Sequence, residues 1–240
     1  MTKRGIAAHI TTFIRNDVYE ILLENTPDRG KEPRTNVDWT DADQLRELLR
    51  LRLSRHSDEH IDFADVWSMI CVPLMEGEDS AQYLIDRCLM RPRALIDLFN
   101  HCRSFAVTLH HPRIDEGDIK KGVDAFSNDL VSEINLEIRD IIPQAEDLLY
   151  HFIGGAKNIS VENFVSLMER EGRDTNIVPK LLDVLIWHGV LGLVWPDGRV
   201  EYIFDAKYNL RLFKAQMEKL KPAGLMFQIN PAFWPALLGE

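Results

Sequence analysis

Residues 6–14, IAAHITTFI, form an apolar, β-branched run without helix punctuation, and no other segment constrains the chain as much. The pattern predicts a short buried strand of the parallel-sheet kind. A strand carries backbone donors and acceptors along both edges, and these need partners. Hardly any other strand candidate occurs before residue 189. The expectation is therefore an orphan strand, left over from an α/β core whose remaining strands lie upstream or in a partner chain.

The rest reads as helices. Residues 16–25 fit a short helix capped by Asn16 or Asp17, and residues 26–36 are a turn-rich loop. Leu45, Leu48, Leu49 and Leu53 line one face of a helix that starts at Thr40 or Asp41 and ends near Ser54. Between residues 62 and 142 the periodicity is helical throughout, with breaks at Pro73 and Pro92 and a long amphipathic helix that stops before Pro143. Beyond it come a helix ending at Gly154-Gly155, a second opened by Ser160, and a third from Asp174 to His188. The apolar stretches VLGLVW and RVEYIF flank Pro196-Asp197-Gly198, a hairpin signal. Three helices followed by a hairpin is the order of a winged helix. A further helix near 207–220 and a tail anchored by Phe233 and Trp234 complete the chain.

Charge and composition exclude several functions. With 38 acidic against 28 basic residues the net charge is −10, which opposes broad nucleic-acid binding through phosphate neutralisation. The arginines at residues 46–55 read as a solvated helix face. No run approaches the roughly 18 apolar residues of a membrane span, and no cleavage site follows the basic, apolar N-terminus. A cytoplasmic protein is expected. Cys71, Cys88 and Cys102 read as reduced, buried thiols, with Cys88 beside Arg87 and Arg91 as the one candidate for reactivity. The string GGAKNIS at 154–160 has the wrong glycine spacing for a phosphate loop, and no strand ends in paired acids suited to magnesium. His56 and His60 share a helix face without further ligands, and His110-His111 sits at a helix end where imidazole caps carbonyls.

One constellation stands apart. Arg91-Pro92-Arg93 places two cations at the positive end of a helix dipole, at a cost of about 0.3–1 kcal/mol each. A nearby anion offsets that cost, and the planar guanidinium suits a carboxylate or a phosphate. The anion is either one of the chain's own acids or a ligand.

These residues resemble the later part of a bacterial P-loop ATPase of the AAA+/STAND kind. The resemblance rests on the strand-end string from Arg15 to Tyr19, the tryptophan-and-leucine stretch VDWTDADQLRELLRLRL, and LMRPRALIDLFNHC at 89–102. It implies a mainly α chain: a helical lid bundle followed by a winged-helix domain, with the orphan N-terminal strand belonging to an incomplete α/β core. The implied divisions are 1–40 for the core remnant, 41–142 for the lid, 143–206 for the winged helix and 207–240 for a C-terminal helix and tail. Arg15 matches a sensor-one or finger position, and Arg93, helped by Arg91, matches the arginine that reads a γ-phosphate. Because the phosphate loop and magnesium acids are missing, the chain is not expected to hydrolyse ATP alone. ATP and Mg enter only if a core is supplied in cis or in trans.

The function expected is the regulatory part of an ATP-dependent switch, its winged helix moving as a rigid body about the Pro143 region. The alternative is a DNA-binding regulator. The third helix of the winged helix offers Lys180 and His188 against Asp174 and Asp183, and the rest of it is largely apolar. Packing against a protein partner or effector is therefore favoured over a DNA groove, with Trp187, Trp195 and Tyr202 as anchors.

Overall fold

The computed structural model describes residues 10–14, 35, 37, 39–55 and 61–239. The chain divides into two compact units, Met1–Val37 and Asp38–Glu240. In the first, residues 10–14 carry no strand or helix, and Ile10, Phe13 and Ile14 are exposed at 77%, 90% and 47%. The buried strand expected over 6–14 is therefore not formed by its described part; residues 6–9 and Arg15 lie outside the described residues. Among the described residues of this unit, these apolar side chains have no strand to join.

The second unit is mainly helical with two small sheets. Helix α1 (Ala42–Leu53) starts at Asp41, whose carboxylate accepts from the Asp43 amide at 2.9 Å. Leu45 and Leu49 bury its inner face. Helix α2 (Phe63–Ile70) follows, with Trp67 stacked on Phe63 and donating its indole N–H to Ser80. Between the breaks at Pro73 and Pro92 the helical periodicity predicts a helix over 76–90. Instead a tight hairpin forms, β1 (Leu74–Met75) with β2 (Glu78–Asp79), and then a single-turn helix, α3 (Ser80–Ile85). Asp79 explains the late start, since its carboxylate caps α3 by accepting from the Gln82 amide at 2.7 Å.

Helix α4 (Pro92–Thr108) and helix α5 (Glu116–Ile141) pack antiparallel. A capping box opens α5: Asp115 accepts from the Asp118 amide, and Asp118 accepts from the Asp115 amide. The two helices approach so closely that a Cβ on Gly122 would lie 2.6 Å from the Cys102 backbone nitrogen. Buried residues on α5 run from Ile119 through Phe126, Leu130 and Ile134 to Ile138.

After Pro143 the expected α-helix is replaced by two 3-10 turns, Pro143–Ala145 and Leu148–Phe152. The break has a cause: Asp147 takes a left-handed conformation, and Asn135 of α5 accepts from the Leu149 amide at 3.1 Å, holding the segment against the bundle. Then come β3 (Asn158–Ser160), α6 (Val161–Arg170), α7 (Val178–Trp187), β4 (Leu191–Val194), β5 (Val200–Glu201), α8 (Leu210–Leu220), β6 (Met226–Ile229) and α9 (Trp234–Leu238). The second sheet is antiparallel in the order β3-β6-β4-β5. Ser160 caps α6, and the Pro196–Gly198 turn joins β4 to β5, both as the sequence predicts. Strand β6 lies between β3 and β4.

One hydrophobic cluster runs from Leu45 to Leu237 and joins the helical bundle to the residues around this sheet. The Ala236 amide of α9 donates to Ser127 in the middle of α5 at 3.2 Å. No helix among the described residues is long and apolar enough to cross a membrane. The close α4–α5 crossing gives a direct expectation. Gly122→Ala gains helix propensity of about 1 kcal/mol, yet its methyl must displace α4 backbone, an overpacking cost of about 1–3 kcal/mol. Equilibrium urea unfolding should therefore show a lower midpoint for Gly122→Ala.

Candidate functional site

Arg91 occupies the N-cap of α4 in extended backbone and makes no side-chain cap, because a guanidinium has no acceptor to offer the first-turn amides. Its guanidinium instead meets Glu137 of α5, Nη1 to Oε2 at 3.5 Å, with both side chains partly buried. Behind that carboxylate lies His188, the C-cap of α7, only 4% exposed. The His188 Nδ1 is 3.0 Å from the same Oε2, but neither ring nitrogen completes a hydrogen bond. Proximity, not alignment, defines this contact. Tyr208 joins the group: burial pushes its phenol up, and the charge and hydrogen bond of Arg91 oppose that rise. Its ring meets Trp187 edge-on at 5.5 Å.

The start of α4, the last turns of α5, the end of α7 and the segment after β5 thus converge on one polar cluster. The sequence signals Arg91 through its unfavourable position on the helix dipole. It gives no sign of Glu137, 46 residues away, or of His188, which reads as one more cation on α7.

Arg93 is 89% exposed and paired with Asp97 on the next turn at 3.6 Å. Of the three expected nucleotide-sensing residues, Arg91 and Arg93 share the first turn of α4, each beside a carboxylate of this chain, while Arg15 lies outside the described residues. Both arginines line a groove of about 480 Å³ between α4 and α5. Its charged walls are mainly acidic: Asp97, Asp129, Glu133 and Glu137 outnumber the two arginines.

The three expected interaction residues differ in setting. Trp187 and Trp195 are partly buried. Trp195 donates its indole N–H to Glu201 at 2.9 Å, with the Arg199 guanidinium 4.4 Å from its ring centre. Tyr202 faces inward, 9% exposed, stacked on Phe204 and lying against Gly192, where a Cβ would meet its ring at 2.6 Å. It supports the sheet from inside and offers little surface.

Other motifs resolve into structure. Lys157, in the glycine-lysine string, sits 4.0 Å over the Trp234 ring, and its carbonyl accepts from Ile229. All three cysteines are free and buried; burial pushes the thiols up, Cys71 to about 11 and Cys88 to about 12. Beside Arg87 and Arg91, Cys88 is therefore governed by burial and not activated by charge. His56 and His60 lie outside the described residues. His111 does not cap carbonyls through its ring: Nδ1 lies 2.8 Å from Asp118 Oδ2 and 3.2 Å from Asp115 Oδ2. Those acids form the α5 capping box, so the imidazole rests on a helix start that already holds negative charge.

The hydrogen bond to Asp118 raises the His111 pKa above 6.5. A raised folded value means that the folded state binds the proton more tightly, so the stabilisation is fully present below pH 6.5 and fades as pH rises through the folded value. Thermal melts of His111→Gln against the parent should show their largest loss near pH 5 and a shrinking difference toward pH 9. A difference that grows with pH contradicts this.

With this geometry in place, comparison with known proteins gives one family similarity. A family described as the FunZ-associated C-terminal helical domain matches residues 43–135, from the start of α1 into α5. No curated protein and no solved structure matches the chain. The region from α1 into α5 is thus similar to a C-terminal helical domain, and the match stops short of the second sheet.

Proposed function

We propose that this chain is a non-catalytic regulatory module of a larger ATP-dependent switch, with an α-helical sensing part and a winged-helix-like interaction part. The observation that carries the reading is the cluster of Arg91, Glu137 and His188. It ties the first turn of α4 to α5 and to the end of α7. Moving Arg91 toward an anion would take a cation away from a partly buried carboxylate and disturb the end of α7, and an uncompensated buried charge is costly. A change at the α4 end is in this way linked to the sheet-bearing half. Arg93, exposed beside Arg91, is the side chain that a phosphate would meet first. ATP and Mg belong to a core supplied in cis or in trans. Similarity of residues 43–135 to a C-terminal helical domain supports a module that works with other parts.

The order α6, α7, β4–β5 hairpin follows a winged helix; the insertion of β6 between β3 and β4 departs from a bare hairpin wing. Helix α7 buries Val178, Leu181, Val184, Leu185 and Ile186, and its Asp183 pairs with Lys214 at 2.7 Å. A helix so committed to packing favours a protein contact over entry into a DNA groove.

Two titrations test this. Calorimetry with Mg-ATP should show no saturable binding by the chain alone. Inorganic tripolyphosphate, followed by NMR, should shift the Arg93 and Ala94 amides in the parent and not in Arg93→Ala. Saturable magnesium-dependent ATP binding, or shifts that persist in the variant, overturns the reading.

A further inference from the structure

The turn after α6 delivers a guanidinium to the segment that follows Pro143. Gly172 closes α6 at φ 73°, and the Arg173 amide donates to the Met168 carbonyl, so the Arg173 side chain leaves from a fixed point. Its Nη1 donates to the Gln144 carbonyl. Its Nη2 donates to the Glu146 carbonyl at 2.7 Å and to His151 Nε2 at 2.8 Å. One side chain thus holds both 3-10 turns to the α6–α7 turn. Arg173 and Gln144 also border an open cleft of about 490 Å³, with Lys180 at its rim.

The chemistry of the fork fixes the state of the imidazole. A guanidinium donates and cannot accept, so His151 Nε2 is the acceptor. The neutral ring then carries its proton on Nδ1, 3.4 Å from Glu171 Oε2. A proton on Nε2 would set N–H against N–H, and cation against cation, at 2.8 Å. Two further charges act on the ring from a longer distance, Asp147 of its own segment and Arg170 at the end of α6. The Glu146 carboxylate is turned to Arg139 instead. Burial first, and the Arg173 charge second, hold the imidazole below its ordinary pKa of 6.5, while Glu171 and Asp147 pull the other way.

We propose that His151 and Arg173 form an acid-released clasp, closed while Nε2 is bare and opened when a proton takes that position. Opening frees two carbonyls of the Pro143 segment and lets the guanidinium turn into the cleft. Helix α5 keeps its own hold on the segment through Asn135. The ligand is the proton, and the element released is the joint between α5 and α6. This goes beyond the interaction-module reading and does not rest on it. The folded state takes the proton less readily than the unfolded chain. The stabilisation is therefore present above pH 6.5 and is lost as pH falls through the lowered folded value, the opposite sense to His111.

Nitrogen-15 NMR of the histidine rings and backbone amides, on the whole chain from about pH 8 to about pH 5, tests the clasp. At the upper end His151 should carry its proton on Nδ1 and none on Nε2. On acidification the ring should titrate below 6.5, and the amides of Ala145, Glu146 and Asp147 should shift with the same midpoint. In His151→Gln, which cannot titrate, those amide shifts should vanish. In Arg173→Met the ring midpoint should rise toward 6.5. A proton on Nε2 at the upper end, a parent midpoint at or above 6.5, amide shifts that persist in His151→Gln, or a midpoint unmoved in Arg173→Met overturns the inference. The tautomer and the midpoint are read on the parent, so the test stands even where a variant fails to fold.

Discussion

Everything in the second unit depends on the burial of α5 against partners from both halves of the chain. Its N-terminal half meets α4 at a spacing that admits glycine at residue 122 and no larger side chain. Its middle receives the C-terminal helix through Ser127, and its last turns hold the segment after Pro143 through Asn135. A helix of 26 residues is long enough to present separate stretches to each neighbour. The consequence is one continuous core from Leu45 to Leu237.

The same helix organises the charges. Its start is fixed by the capping box and by His111, and its end supplies Glu137 to Arg91 and His188. Between them Asp129 and Glu133 line the groove against α4. A cation at the start of α4 is tolerated because α5 brings an acid to it, which answers the dipole argument with an internal partner. Of the two anions considered from sequence, the chain's own carboxylates reach these arginines, Glu137 at 3.5 Å from Arg91 and Asp97 at 3.6 Å from Arg93. For a phosphate to compete, it must meet Arg93, which is held only loosely.

Much of this was legible in the sequence where local chemistry decides. Helices α1, α4, α5 and α6 announce themselves through leucine periodicity, Pro92, the acidic start before Ile119 and Ser160. The β4–β5 turn is written in Pro196-Asp197-Gly198. Local signals misled where other contacts win: the segment after Pro143 becomes 3-10 turns because Asn135 draws on the Leu149 amide, and residues 74–79 form a hairpin before Asp79 caps α3. The site was half visible. Arg91 and Arg93 stood out by position, whereas Glu137 reads as an ordinary solvated acid of an amphipathic helix until the fold sets it beside Arg91. The apolar run at 6–14 suggested a buried strand, yet its described residues are exposed, since apolar character alone does not supply neighbours.

The central claim is that α5 makes the helical bundle and the sheet-bearing half a single cooperative body, so that an event at Arg91 is felt at α7. Hydrogen exchange by mass spectrometry at increasing denaturant tests this directly. Amides of α4, α5, β4 and β6 should open together, at one denaturant concentration and with one free energy. Opening of β4 and β6 while α4 and α5 stay protected would show two independent bodies and contradict the account.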